Sequence, residues 1–357
     1  MDESFPPLQP ANPVIAHLID QLRCHPKRVV FTEGEDIRVI RAAARLVSEQ
    51  VVAPILLGDR DHIRSMAAEN GVSMKFIHII DPPKATDFQL FCKRMENMER
   101  YRTRQLGDAA EIVARPHYFG ALMVQYGQAD ALIGGNQSIP AAYFRALMNT
   151  IKPEAHVSKI FGVSLIIAPH LKNLGGSGML FLADTALLPI PEVQDLACMA
   201  IDAGQLAQHF LGRAPVVALL SHSTLGSAPT ADARRMAAAT ELARSEALRQ
   251  FLDIKIEGEL QADVALDPAA AEVKVPGAGN RPSADVLIFP NLDAAHISLK
   301  LLQHVAGAQA YGQIICGLTR PAAQIARTAT EETIFGTAAA IAVEAIKFHH
   351  LHPDSDF

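Results

Sequence analysis

VVALLSHSTLGSAPTADARRMAAATELA, Val216–Ala243, decides how this chain folds. Its opening residues are an apolar run of the kind buried on both faces of a sheet. A hydroxyl-rich glycine turn, Ser221–Ser227, follows, and then an Ala-rich stretch with apolar residues at helical spacing. A strand that passes through a glycine turn into a helix is the repeating unit of an α/β protein. The same alternation runs outward in both directions. Further strands are expected at Arg28–Phe31, Ala53–Leu57, Phe76–Ile80, Ala131–Gly134, Ile160–Ala168, Ile254–Glu257, Val286–Pro290 and Ala310–Ile315, with one at Pro215–Ser221 inside the opening stretch. Helices are expected at Asp36–Glu49, Glu192–Leu211 and Ala231–Phe251. The fold class is α/β with mostly parallel sheets.

The 357 residues, 49% hydrophobic and 20% charged, suffice for two domains with separate cores. A net charge of -6 leaves no basic field for a nucleic-acid backbone, and the absence of Trp argues against base stacking. Any anionic substrate must therefore meet a few local cations. Four cysteines without C-x-x-C spacing fit a reducing compartment and exclude a disulfide scaffold or structural zinc site. The start, MDESFPPLQPANP, reads as no secretory signal, and no apolar run is long enough to span a membrane, so a cytoplasmic protein is expected. The tail HHLHPDSDF reads as a solvated terminus in preference to a histidine metal site. PHLKNLGGSG, 169–178, reads as a surface hairpin or flap.

Several segments offer chemistry. In FTEGEDIR, Phe31–Arg38, the acids suit a helix N-terminus, while Arg38 sits in the first helical turn at the carboxyl end of a strand, where open α/β sheets bind ligands. In ADALIGGNQSIPAAYFR, Ala129–Arg145, paired glycines allow a close backbone approach, though they serve equally well as a plain turn, and a helix then carries Arg145. In the opening stretch, the hydroxyls of Ser223, Thr224 and Ser227 with the amide of Gly226 can cradle a phosphate-sized anion. The turn is neither a Walker A loop nor a nucleophile elbow. His222 reads as hydrogen-bonded, not catalytic. Glu257, Glu259 and Asp263 read as a loop entering a helix, with capping preferred over metal binding. VLIFPNLDAAHISLKLLQ, Val286–Gln303, places His296 and Lys300 on one helix face.

Taken together, EGEDIRVIRAA, ADALIGG, LADTALLPIPE, LLSHSTLGSA, EGELQADVAL, FPNLDAAHISLK and CGLTRPAAQIAR form an ordered series from Arg28 to Ile346. The series resembles the phosphate acetyl/butyryl-transferase family, and matches its phosphotransacetylases and the acetyltransferase-like C-terminal part of some malic enzymes better than the butyryl branch. The resemblance implies two α/β/α sandwich domains flanking a cleft, similar to isocitrate and isopropylmalate dehydrogenases. Residues 1–152 and 321–357 would form one domain and 153–320 the other. It implies a homodimer that needs no metal or resident cofactor and takes acyl-CoA and phosphate as substrates. The implied reaction is acetyl-CoA + phosphate = acetyl phosphate + CoA, by direct transfer in a ternary complex. It places Arg145, Arg327 and Thr333 at catalytic positions, and Arg38, Ser223, Thr224, Gly226, Ser227, His296 and Lys300 at substrate-binding ones. Arg100 or Arg102 lies near a further cationic position.

The chain departs from the family pattern at Ala326, where a serine is usual, and at Thr333, where phosphotransacetylases carry an aspartate that Glu331 or Glu332 would have to replace. It also departs at Ala295, His296, Leu299, Gln313 and the loop GAGNRP, 277–282. A second reading is therefore a catalytically impaired acyl-CoA-binding regulatory protein of the same fold. A hydroxy-acid dehydrogenase is a third, disfavoured by the lack of G-x-G-x-x-G after the first strand.

Overall fold

The computed structural model describes residues 13–351 apart from 105, 169, 171–174, 176–177, 276 and 278–280. The strands among them are β1 (Lys27–Phe31), β2 (Val52–Leu57), β3 (His78–Ile80), β4 (Ala131–Gly134), β5 (Phe161–Ile167), β6 (Met179–Ala183), β7 (Val216–Leu220), β8 (Lys255–Leu260), β9 (Val286–Ile288), β10 (Gln309–Cys316) and β11 (Ala322–Gln324). They join into one continuous sheet, in the order β3-β2-β1-β4-β11-β10-β5-β6-β9-β7-β8. Seven of its ten pairings are parallel. The three antiparallel pairings, β11/β10, β10/β5 and β5/β6, sit together in the middle. Because three reversals separate them, the parallel strands of the two halves run in opposite directions.

The sequence placed nine of these strands and missed β6 and β11. The acidic residues Glu257 and Glu259 lie within β8 and not in a loop, which corrects the earlier boundary at Glu257. The three expected helices are Ile37–Ser48, Val193–Leu211 and Ala231–Arg249. Asp36 caps the first by accepting from the Arg38 amide, and Thr230 caps the third through the Ala233 amide. Glu192 and Asp195 form a capping box on the second, which stops at Gly212 in the left-handed region. The last helix runs over Glu331–Leu351, so the start of the HHLHPDSDF tail continues it. Residues 352–357, most of the 169–178 loop and half of the 277–282 loop lie outside the described residues. No described helix is long and apolar enough to cross a membrane.

Alternation along each strand sorts the core into layers. On one face Val29, Phe31, Ile133, Val163, Leu165, Phe181, Val217 and Ile288 belong to a single apolar core shared with Phe335 and Ile341 of the last helix. The other face is split. Val30 and Leu132 pack with Phe91, Phe119, Tyr143 and Leu147, while Ile166, Leu182, Ala218 and Leu287 pack in a separate cluster with Leu299. One core thus spans both halves of the sheet from beneath, and two cores stand apart on top.

Candidate active site

The sheet gathers chemistry at the carboxyl ends of β1, β4 and β11, three neighbours pointing the same way. After β1, Glu33 inserts its carboxylate among backbone amides that follow β4. It accepts from Gly135 N at 2.8 Å, Asn136 N at 2.6 Å and Ser138 N at 2.9 Å. Gly135 holds a φ of 102°, which a side chain would strain, and this lets the amides converge. His117 lies beside this group, with Nδ1 2.8 Å from Thr32 Oγ1 and Nε2 3.7 Å from Glu33. Burial lowers the His117 pKa below its ordinary value, although Glu33 pulls the other way.

Asp36 and Arg38 form the next layer. The Arg38 guanidinium pairs with Asp36 at 2.6 Å and donates to the carbonyls of Arg327 at 2.9 Å and Ala329 at 2.7 Å. Burial by itself would raise the Asp36 pKa. The hydrogen bonds it accepts from Arg38 and Asn136 outweigh burial and hold it below the usual carboxylate value. Arg327, three residues beyond β11, is exposed, as is Arg145 on the helix Pro140–Thr150. Among the described residues neither side chain has a hydrogen-bond or ion-pair partner, so both are free to meet an anion.

Thr333 occupies the third position of the last helix. Its amide donates to Thr330 Oγ1 at 3.2 Å, and the two hydroxyl oxygens lie 3.1 Å apart. Of the two acids beside it, Glu332 is held in an ion pair by Arg45, which also lies 3.8 Å over the Phe335 ring. Glu331 has no such partner among the described residues.

The hydroxyl turn after β7 is closed on itself. Ser223, fully buried, donates to Glu259 Oε1 at 2.8 Å, and the Gly226 amide donates to the same oxygen at 2.7 Å. Thr224 Oγ1 accepts from the Gln261 amide at 3.0 Å. Ser227 is exposed, its Oγ accepting from Thr224 N at 2.9 Å. A carboxylate of the chain itself thus fills the place that the sequence offered to an external anion. The partner is 36 residues away, so no local pattern announces it.

Between the two upper cores runs a polar strip. Ser164 Oγ and Thr185 Oγ1 are 2.8 Å apart, and the Thr185 carbonyl accepts from Gln313 Nε2 at 2.7 Å. His296 Nδ1 approaches that carbonyl at 3.5 Å, and Lys300, one helical turn on, donates to Gln303 at 3.1 Å. Two departures noted in the sequence, His296 and Gln313, therefore meet at one atom. Arg100 donates to the Met148 and Ile151 carbonyls and Arg102 to that of Asn97, so both tie local backbone together. No hydrogen bond among the described residues links the Arg38 group with the Ser223 turn. No cluster of His, Cys, Asp or Glu among the described residues is arranged to hold a metal ion.

A mixed, mostly parallel sheet of this order defines an α/β protein whose fold is shared by solved dehydrogenases. The chain is similar in fold to a 4-hydroxythreonine-4-phosphate dehydrogenase from Salmonella typhimurium, a structure described as putative, with TM-score 0.52 and 14% identity over 89% of this chain and 99% of that one. It belongs to the phosphate acetyl/butaryl transferase family, whose model matches residues 14–343. A phosphate acetyltransferase from Acetivibrio thermocellus is 30% identical over 331 residues, 93% of this chain and 98% of that protein. The EutD phosphotransacetylase from Staphylococcus aureus superimposes with TM-score 0.83 at 31% identity, covering 93% of this chain and 98% of the other.

Proposed function

We propose that the protein transfers an acetyl group between coenzyme A and inorganic phosphate by direct displacement in a ternary complex. The observation that carries this reading is the pair of exposed, unpaired guanidinium groups of Arg145, midway along the helix that follows β4, and Arg327, three residues beyond β11, in a chain of this family. A phosphate oxygen attacks the thioester carbonyl carbon, negative charge gathers on the carbonyl oxygen, and the C–S bond breaks to release the thiolate. Fixed cations beside that oxygen lower the barrier most when water is excluded, and holding both substrates together supplies much of the remainder.

Three of the four cysteines lend no support to an acyl-enzyme. Burial pushes the Cys92, Cys198 and Cys316 thiols up, so they stay protonated and weakly nucleophilic at neutral pH. Thr333 offers a hydroxyl but no base, and Glu332 is committed to Arg45, so Glu331 is the carboxyl left beside it to relay a proton to the released thiolate in this reading.

The division into residues 1–152 with 321–357 and 153–320 is supported by the split face, with the cleft along the strip between the upper cores. Six steps separate β4 from β7. At roughly 20–25° of twist per step, the second set of strands is turned far enough to offset much of its reversed direction. A homodimer is supported by Ile297, Leu301 and Val305, spaced four apart on and just past the helix Leu292–His304 and 59%, 55% and 79% exposed.

The test is thiol release from acetyl-CoA with inorganic phosphate. Saturable turnover in both substrates supports the proposal. Turnover at background with saturable CoA binding in calorimetry sinks it and favours the impaired acyl-CoA-binding protein, the reading that Ala326 and Thr333 motivate.

A further inference from the structure

Arg38 stands at a position where the family resemblance expects a substrate ligand, and its hydrogen bonds leave it no donor for that task. A guanidinium carries five N–H groups. Nε donates to the Asp36 carboxylate at 3.1 and 3.2 Å. One terminal nitrogen donates to Asp36 Oδ2 at 2.6 Å and lies 3.4 Å from the Asn136 carbonyl. The other divides its two hydrogens between the carbonyls of Arg327 at 2.9 Å and Ala329 at 2.7 Å. All five are used. Asp36, whose side chain is only 5% exposed, also accepts from Asn136 Nδ2 at 2.8 Å.

These bonds join the turn after β1, the turn after β4 and the loop after β11. They grip that loop on both sides of Thr328, fixing the backbone from which Arg327 projects. Arg145 and Arg327 have no comparable restraint on their side chains and are the guanidiniums left for an anion. We infer that Asp36 is a positioning residue which, through Arg38, holds Arg327 in place, and that Arg38 acts as a backbone clasp and not as a substrate ligand. The kinetic part of this inference rests on the proposed transfer reaction; the structural part does not.

The experiment uses the full chain with Asp36→Asn, Arg38→Met and Arg38→Lys. Its first arm is amide hydrogen exchange by mass spectrometry. With Arg38→Met, residues 326–333 should exchange about tenfold faster or more, while β1 and β5 keep their protection. Its second arm is steady-state kinetics. A misplaced Arg327 should lower kcat by about 100-fold while the KM values for acetyl-CoA and phosphate stay within about threefold. Asp36→Asn should show the same kcat-against-KM split, and the double variant Asp36→Asn/Arg38→Met should be no slower than Arg38→Met. Arg38→Lys, which keeps the charge but cannot reach both carbonyls and Asp36 together, should fall between and serves if Arg38→Met does not fold.

Unchanged exchange at 326–333 would overturn the inference. So would a KM raised roughly tenfold or more with kcat held, the mark of a lost ligand contact. Should the unmodified protein show no turnover, the transfer reaction fails while the exchange arm still decides the clasp.

Discussion

Arg327 is exposed, unpaired and held at its backbone, the combination a charge-stabilising residue requires. Arg327→Ala should lower kcat/KM for thiol release by about 10²–10³-fold while leaving the melting temperature within a degree or two of the unmodified protein's, roughly the scatter of surface substitutions. Equal activity would remove it from the site. Ser223 makes the opposite case. The sequence presented it as a donor toward phosphate, yet its hydroxyl is buried against Glu259. Ser223→Ala should therefore act on stability, costing about 1–3 kcal/mol in urea unfolding because a buried carboxylate loses a partner. A raised KM for phosphate with unchanged stability would restore the earlier role. Arg327 could be singled out from the sequence because the motif around it is recognisable. The part played by Glu259 could not, because it lies in a bond to a residue in the turn after another strand.

Among the elements, legibility followed length and composition. The long apolar runs of β5 and β7 and the amphipathic spacing of Ile37–Ser48 were plain in the sequence. β11 has three residues, Ala-Ala-Gln, directly after Pro321, and carries no β-branched signal. It is a strand because β4 and β10 flank it, which is tertiary information. β6 follows immediately on a polar, glycine-rich stretch that drew the reading toward a flap. The last helix shows how tightly elements are matched. A Cβ on Gly336 would sit 2.2 Å from Cε1 of Tyr311, a ring only 1% exposed. Gly336→Ala should destabilise by about 1–3 kcal/mol or more through overpacking, outweighing the roughly 1 kcal/mol that alanine gains over glycine in a helix. Urea denaturation checks the sign; a stabilised variant would show that Tyr311 moves aside freely.

At the scale of the whole molecule, the shared lower core ties stability to the last helix, which carries an unusual acid. Glu344 lines a cavity of about 270 Å³ with Cys316, Ile341 and Lys347, and its Oε2 is buried without a partner. Burial pushes its carboxyl from 4.5 to about 7 despite the opposing charge of Lys347. The folded state then holds a proton that the unfolded chain releases between those values, so this group's contribution to stability falls as pH rises from 4.5 to 7. Glu344→Gln should flatten that slope, with the unmodified protein losing on the order of 2 kcal/mol relative to the variant between about pH 5 and pH 8. Parallel stability curves would refute the assignment.

The ladder is not equally long at every joint of the sheet. β11 is registered with β4 at three positions but with β10 at one, Ile314 opposite Ala323. That line is a crease. It runs under the first upper core, where Ile315 of β10 belongs to the same apolar cluster as Ala322 of β11, and over the shared lower core, so packing bridges the line that few ladder bonds cross. Arg327 hangs from the short strand on one side of the crease, and Gln313 stands on the other. Any change in the span between them has to disturb the cluster that holds Ile315 and Ala322, so side-chain packing, more than the ladder, sets that distance.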